Sequence, residues 1–377
     1  MKISFVLNVA NLAGGNRVIA TYAQRLKARG HQVTIVSTPP RPPSKRERLW
    51  ALLRGQGWLP TPRCGPSYFD GLDLERHVVE RYRPITAEDV PDADVVVATL
   101  WKNAAWVATF PDAKGAKVLF IQGYETMPGK FQPLIDLAWR LPFHKILISH
   151  WLADLSVQRF GDRITSLVPN SVDTCLFHAP PRGKQLQPTI GLLYSLEPMK
   201  GLGVALEALN LARRRLPELR IVAFGAVPQA RHQPLPMGAE YHFQPPQHMI
   251  RELYTSCDAW LCASWQEGFH LPPLEAMACR CPVVSTRAGG PLDIMEDGVN
   301  GYLVDAGDAA GLADRLVEVL RFDAPRWRVM SDAALATATR YTWDEATALF
   351  ETALKLAVER AGRGEIAGGA KREKVAL

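Results

Sequence analysis

Apolar positions along this chain fall into two rhythms that take turns. "KISFVLNV" (2–9) is a short, nearly unbroken apolar run that reads as a buried strand. "GGNRVIATYAQRLKARG" has helical spacing and closes on Gly30, and "HQVTIVS" is strand-like again. Strand, glycine loop, helix and strand in that order open a parallel α/β unit. Further strand-like runs at 95–99, 117–122 and 145–149 predict a doubly wound first half. After the polar, proline-containing "PPRGKQLQP" (180–188) the alternation restarts: "TIGLLYS" as strand, "KGLGVALEALNLARRRLP" as helix, "LRIVAFG" as strand. "HMIRELYTSCDAWLCAS" follows as a helix feeding a strand, and "CPVVST" as a further short strand. "YTWDEATALFETALKLAVERA" predicts a last helix started by Thr342 or Asp344, and "GRGEIAGGAKREKVAL" a frayed tail. The expected organisation is α/β, with two Rossmann-like doubly wound domains at 1–180 and 181–342, a helix at 343–362 and a disordered tail at 363–377.

One stretch breaks the rhythm. "RPPSKRERLWALLRGQGWLPTPR" (41–63) is proline-rich at both ends, with a basic middle that carries tryptophan and leucine. An insertion of this length in a compact domain is usually functional or mobile. The segment reads either as a solvated surface excursion or as a basic amphipathic element contacting a membrane or an acceptor. At 377 residues the chain exceeds the usual size of one core, in keeping with two domains. The formal charge of +6 and pI near 9.0 suit an anionic substrate, an anionic membrane surface or nucleic acid alike. Six cysteines lack C-x-x-C spacing, so buried reduced thiols are expected rather than a metal site or disulfides. "MKISFVLNVA" is not built as a signal peptide and no apolar run is long enough for a span, so a cytoplasmic location is expected.

The chemistry concentrates in "EGFHLPPLE", Glu267 to Glu275, where two carboxylates stand eight positions apart. The prolines prevent one continuous helix, so Glu267 is expected on a loop. Glu275 falls in a helix-favouring run that Pro272 or Pro273 can open from its first turn. Lys200, on the turn "SLEPMKG" just before a helix, places a cation where backbone N–H groups suit a diphosphate. Gly14 and Gly15 open the first helix without the G-x-G-x-x-G dinucleotide fingerprint.

"EGFHLPPLEAMACRCPVVSTRAGGPLDIMEDGVNGYLV", with "GGNRVIATYAQRLKARGHQVTIV", "VPNSVDTCLF", "MKG" and "YTW", resembles the E-x7-E glycosyltransferases of family 4 over nearly the whole chain. That resemblance implies the GT-B fold, with the two domains facing across a cleft, the acceptor on the first and the nucleotide sugar on the second. It implies a retaining, hexosyltransferase-type enzyme of bacterial polysaccharide or glycolipid assembly. A saccharide, glycolipid or small-molecule hydroxyl would be the acceptor, with no metal or other cofactor and no nucleic-acid partner. By the same resemblance Glu275 takes the ribose hydroxyls and Glu267 those of the transferred sugar, each through charge-assisted hydrogen bonds. Gly268, Phe269, His270 and Leu271 would offer backbone N–H groups, and Gly14 and Gly15 would approach the donor phosphate or the acceptor.

Two departures from the family pattern stand out. Ser195 holds the donor-site position where relatives carry an arginine, leaving Arg287 or Arg17 as substitutes. "IQGYETM" replaces the usual histidine of the first domain, so Glu125 is the catalytic candidate there, with Trp101, Lys102 and Tyr124 as acceptor candidates. A catalytically degenerate sugar-nucleotide-binding protein and a GT-B sugar-nucleotide epimerase are the alternative readings. A peripheral contact of 41–63 with the inner membrane face is the associated partner expectation.

Overall fold

The computed structural model describes residues 1–55, 57–125 and 131–368. Of the disordered tail expected at 363–377, residues 363–368 are instead held in place, with Ile366 buried and Ala367 donating to the Pro142 carbonyl at 2.7 Å and accepting from the Lys117 N–H at 3.0 Å, and the rest lies outside the described residues. The chain divides into two compact units: Met1–Ile148 with Leu152–Val168 and Thr347–Leu377, and Pro169–Ala346 with Ser149–Trp151. The sequence reading put this division at 181. Residues before 181 already pack on the second unit, where the Phe177 ring meets Tyr254 edge-on at 5.9 Å.

The first unit holds an all-parallel sheet of seven strands: β1 (Lys2–Leu7), β2 (Gln32–Ser37), β3 (Glu75–Val78), β4 (Val95–Ala98), β5 (Ala116–Ile121), β6 (His144–Leu147) and β7 (Thr165–Leu167). Their order is β3-β2-β1-β4-β5-β6-β7, so the winding reverses between β1 and β4. The central strands are buried on both faces, as their apolar runs require, with Ser4 and Lys117 as buried polar residues within them. β3 was not legible, because all four of its residues are exposed and it joins the edge through Thr34 Oγ1 donating to Glu75 at 3.0 Å. The helix Trp343–Gly362 starts at Thr342, not Asp344, through a reciprocal capping arrangement with Glu345. Its Phe350 is fully buried in the first unit, stacked on Tyr22 at 4.3 Å and edge-on to Phe120 at 5.1 Å. That aromatic cluster ties the end of the chain to the first sheet.

The second unit holds six parallel strands: β8 (Thr189–Leu193), β9 (Arg220–Gly225), β10 (Glu240–Phe243), β11 (Ala259–Cys262), β12 (Val283–Thr286) and β13 (Gly301–Val304). Their order is β10-β9-β8-β11-β12-β13, which reverses between β8 and β11. Trp260 on β11 is fully buried, and Gly191 on the neighbouring β8 makes room for its indole. A Cβ at 191 would stand 2.2 Å from the indole. Four of the six cysteines, Cys257, Cys262, Cys279 and Cys281, are buried free thiols of this unit, and Cys64 and Cys175 are exposed free thiols.

Candidate functional site

In open parallel sheets, ligands sit beyond the carboxyl ends of the strands where the winding reverses. In the second unit that point lies between β8 and β11, and the loops leaving these two strands carry the residues that the sequence singled out. Lys200 ends a 3-10 turn, Pro198–Lys200, after β8. Gly201 follows at φ +63° and then the helix Leu202–Arg215 begins. The left-handed conformation favours glycine, and a Cβ there would lie 1.9 Å from the Ala263 carbonyl oxygen. Glycine therefore lets the Lys200 turn rest directly on the end of β11.

Glu267 comes from the loop after β11. Its N–H donates to the Ala288 carbonyl at 2.6 Å, and its own carbonyl accepts from the Gly290 N–H at 3.2 Å, so backbone bonds to the loop after β12 hold it. The carboxylate points inward with a side-chain exposure of 9%. The Lys200 ammonium donates to both its oxygens, at 2.7 and 2.9 Å, and the Ser264 hydroxyl donates to one at 2.7 Å. Burial by itself raises the carboxyl's proton affinity. The neighbouring His270 and Lys200 charges and the hydrogen bonds from Lys200 and Ser264 outweigh it, and hold Glu267 below its ordinary range. His270 lies 3.4 Å from Glu267, yet burial pushes its imidazole down to about 4. Near neutral pH the imidazole is uncharged, and the Lys200 ammonium is the charge that Glu267 then meets.

His270 also sits in the left-handed region, φ +71°, immediately before the helix Leu271–Ala278 with prolines in its first turn. A non-glycine residue at that φ is locally strained, and such strain clusters at sites where the surroundings over-determine it. The Nδ1 of His270 is buried with no hydrogen-bond partner among the described residues. Gly268 accepts the Trp151 indole N–H at 2.9 Å, and Phe269 and Leu271 complete the loop into the helix. Glu275 rides on that helix, 4% exposed, and accepts the Tyr254 hydroxyl at 2.9 Å. Lys200, Ser264 and His270 line one small cavity, which Glu275 does not line. Ser195 lies at the start of the Lys200 turn and accepts the Glu197 N–H at 3.3 Å. Arg287 faces Asp297 at 3.5 Å and Asp305 at 3.7 Å. Arg17 lies in the helix Gly14–Ala28 of the first unit.

The first unit has its own concavity at the reversal between β1 and β4, a cavity of about 550 Å³. Asn8, Gly15, Asn16, Thr99, Trp101 and Glu125 are among its lining residues. Gly15 accepts from the Gln122 amide at 3.3 Å, whereas nothing stands within 4 Å of a Cβ built at Gly14. Burial raises the Glu125 carboxyl's proton affinity, countered by a hydrogen bond from Trp101 and the charge of Lys102. Lys102 itself lies 5.2 Å from the Trp101 ring. Tyr124 does not line the cavity. Its hydroxyl donates to Asp136 at 2.9 Å and accepts from Gln132 at 2.7 Å, and its ring packs on Trp139. Asn8 Oδ1 is buried without a hydrogen-bond partner among the described residues. Ser264 and Asn8 were not singled out from the sequence. Their signal was position, each one or two residues past the end of a central strand.

Residues 187–321 match the family model described as Glycosyl transferases group 1. The chain is 31% identical over 215 residues to the D-inositol 3-phosphate glycosyltransferase of Mycolicibacterium paratuberculosis, a match covering 54% of this chain and 45% of that protein. It is 48% identical over 82 residues to the sucrose synthase of Acidithiobacillus caldus, 21% of this chain and 10% of that one. The chain thus spans less than half the length of these curated relatives. Among solved structures, the sucrose-phosphate synthase of Thermosynechococcus elongatus superposes with a TM-score of 0.71 at 15% identity, covering 94% of this chain and 98% of that one. Anabaena Alr3699/HepE in complex with UDP-glucose does so with a TM-score of 0.70 at 17% identity, covering 95% and 100%. The fold of the two units is GT-B, as the sequence predicted.

Proposed function

We propose that this chain moves a hexosyl group from a nucleoside-diphosphate sugar to a hydroxyl of a saccharide, glycolipid or small-molecule acceptor, with retention of configuration. The observation that carries the reading is the Lys200–Glu267 pair, a cation and a buried carboxylate delivered from two adjacent strand ends to the winding reversal of the second sheet. Around it the family match, and the UDP-glucose complex of Anabaena Alr3699/HepE, support a nucleotide sugar as the donor.

In this reading Lys200 leaves part of its contact with Glu267 to meet the diphosphate, and the N-terminus of the helix Leu271–Ala278 adds favourable dipole. Together they meet the phosphate charge without a metal ion. Glu267 accepts hydroxyls of the transferred sugar, and its negative charge faces the anomeric carbon as positive charge builds there. Glu275 exchanges its Tyr254 hydrogen bond for the ribose hydroxyls. The acceptor oxygen bonds to the anomeric carbon on the face from which the diphosphate leaves, and the departing phosphate oxygen takes the acceptor proton. The cavity of the first unit holds the acceptor, with Trp101 offering an aromatic face to a sugar ring and Glu125 orienting the hydroxyl. The setting of this chemistry is the cytoplasm.

A thermal-shift screen with UDP-, GDP- and dTDP-sugars, followed by proton NMR of the product's anomeric signal, tests the reading. One donor class is expected to raise the melting temperature in the wild type and not in Glu275→Ala, and the product should keep the donor's anomeric configuration. A folded protein that no nucleotide stabilises overturns the donor site, and an inverted product overturns retention.

A further inference from the structure

The insertion at 41–63 plays no part in either site, yet its structure is specific. Ser44 starts a helix, Lys45–Leu53, with a complete capping box: its hydroxyl accepts from the Glu47 N–H at 3.2 Å, and the Glu47 carboxylate accepts from the Ser44 N–H at 2.6 Å. Glu47 is the single carboxylate of the insertion, against Arg41, Lys45, Arg46, Arg48, Arg54 and Arg63. It is spent on that cap and on an ion pair with Arg41.

An ordinary surface helix turns its apolar side inward and its charges outward. This one turns both outward, with Lys45, Arg46 and Glu47 exposed beside its apolar side chains. Ala51 is its only buried residue, while Leu49, Trp50, Leu52 and Leu53 are 57, 49, 44 and 71% exposed. At 100° per residue, Leu49 and Leu53 lie about 160° from Ala51 and Trp50 about 100° from it, with Arg46 between Leu53 and Trp50 and Lys45 beside Leu49. The chain beyond the helix exposes a further aromatic ring. Trp58 is 62% exposed and is held against the Arg48 guanidinium at 5.1 Å, and Arg48 also donates to the Thr61 hydroxyl at 2.9 Å. A solvated basic face, the commoner fate of a charge-rich segment, does not require four large apolar side chains pointing into water. Outward apolar groups of this size mark an interaction surface. Leucine and tryptophan interleaved with lysine and arginine is the composition of a helix lying in the plane of a membrane interface.

We propose that the helix Lys45–Leu53, with Trp58 beside it, docks the first unit onto an anionic phospholipid bilayer. Leu49, Trp50, Leu53 and Trp58 enter the headgroup boundary, and Lys45, Arg46 and Arg54 sit against the lipid phosphates. The charge balance of the segment selects this occupant, since six cations and one committed carboxylate complement an anionic leaflet and are indifferent to a neutral one. This surface stands independently of the nucleotide-sugar reading.

The test is flotation of the purified full-length chain with vesicles of phosphatidylcholine alone and with about 30% phosphatidylglycerol, an anionic content within the range where surface potential attracts basic segments. Binding to the anionic vesicles only, weakening as salt rises, is expected. The triple variant Leu49→Gln/Trp50→Gln/Leu53→Gln should bind at least about tenfold more weakly. Lys45→Gln and Arg46→Gln should each cost about fivefold. All these side chains are exposed, so melting temperature and nucleotide binding should not change, which separates a failure of docking from a failure of folding or of the donor site. Equal flotation with both vesicle types, or wild-type flotation by the triple variant, overturns the proposal. So does a concentration-dependent dimer that the triple variant abolishes, which would assign the face to a second copy of the chain.

Discussion

Replacing Lys200 with methionine removes the cation from a carboxylate that the fold has already taken out of water. The Glu267 side chain is 9% exposed and that of Lys200 32%, so the pair is asymmetric: the carboxylate cannot recover its hydration, and the ammonium partly can. Removing one partner of a fully buried pair costs about 3–5 kcal/mol. Screening at the half-exposed lysine, and the Ser264 hydrogen bond that survives, reduce this to about 1–3 kcal/mol at pH 7. The pH dependence is the sharper signature. In the wild type Glu267 is held below its ordinary value of 4.5, so its contribution is present above that value and is lost as pH falls through the depressed one. In Lys200→Met the carboxyl loses the lysine's charge and both of the lysine's hydrogen bonds while its burial stays, so its proton affinity rises above the wild type's. The variant's penalty then exists at neutral pH and fades on acidification, as the carboxyl takes up a proton. Thermal unfolding at pH 7.5 should show a loss of several degrees, at about 2–4 °C per kcal/mol for a unit of this size. The gap should close by at least about half near pH 5. A gap that stays constant between these pH values would refute the claim that Lys200 lowers the proton affinity of a buried Glu267.

Gly201→Ala forces a Cβ to within 1.9 Å of the Ala263 carbonyl at a left-handed position, and should destabilise the second unit by about 2 kcal/mol or more, read by denaturant unfolding. Because it displaces the Lys200 turn, nucleotide affinity measured by calorimetry on the folded fraction should fall as well. Burial holds both His144 and His270 down to about 4 against an ordinary 6.5. The unfolded chain therefore takes up these protons first as pH falls from 6.5 to 4, and stability should decline over that window by on the order of 2–3 kcal/mol per histidine. His144→Gln and His270→Gln should each flatten the stability-against-pH curve, and an unchanged curve contradicts the assignment. In the first unit, Trp101→Ala should raise the acceptor KM by roughly tenfold with little change in donor affinity, as the loss of one sugar-stacking face. An acceptor KM equal to the wild type's would remove the 550 Å³ cavity from the account.

How much of this was legible in the sequence depended on where each residue's partner lay. Strands buried on both faces, such as Val95–Ala98 and Ala116–Ile121, announced themselves as apolar runs. The exposed edge strand Glu75–Val78 did not, because it carries no buried side chain and is held by its backbone, the Thr34–Glu75 hydrogen bond and the Arg76–Asp70 pair. Thr342 could not be told from Asp344 as the start of the last helix, since either type caps and only the geometry with Glu345 decides. The loop position of Glu267 and the helical position of Glu275 followed from the prolines between them, which restrict backbone whatever the tertiary setting. The Lys200–Glu267 contact was not legible: 67 residues separate the two, and it exists because β8 and β11 are neighbours in the sheet. Tyr124 shows the converse. Its place after a strand suggested an acceptor contact, but Asp136 and Gln132, from the following helix, take up its hydroxyl.

The central claim is that the winding reversal of the second sheet binds a nucleotide sugar through Lys200. Isothermal titration calorimetry of UDP-glucose, GDP-mannose and dTDP-glucose into the wild type and Lys200→Ala tests it most directly. The account predicts that a donor of one nucleotide class binds the wild type and binds Lys200→Ala about 10- to 100-fold more weakly, the loss of one charge-assisted contact to the diphosphate. Undiminished binding by Lys200→Ala, or no binding of any of the three by the folded wild type, would contradict it.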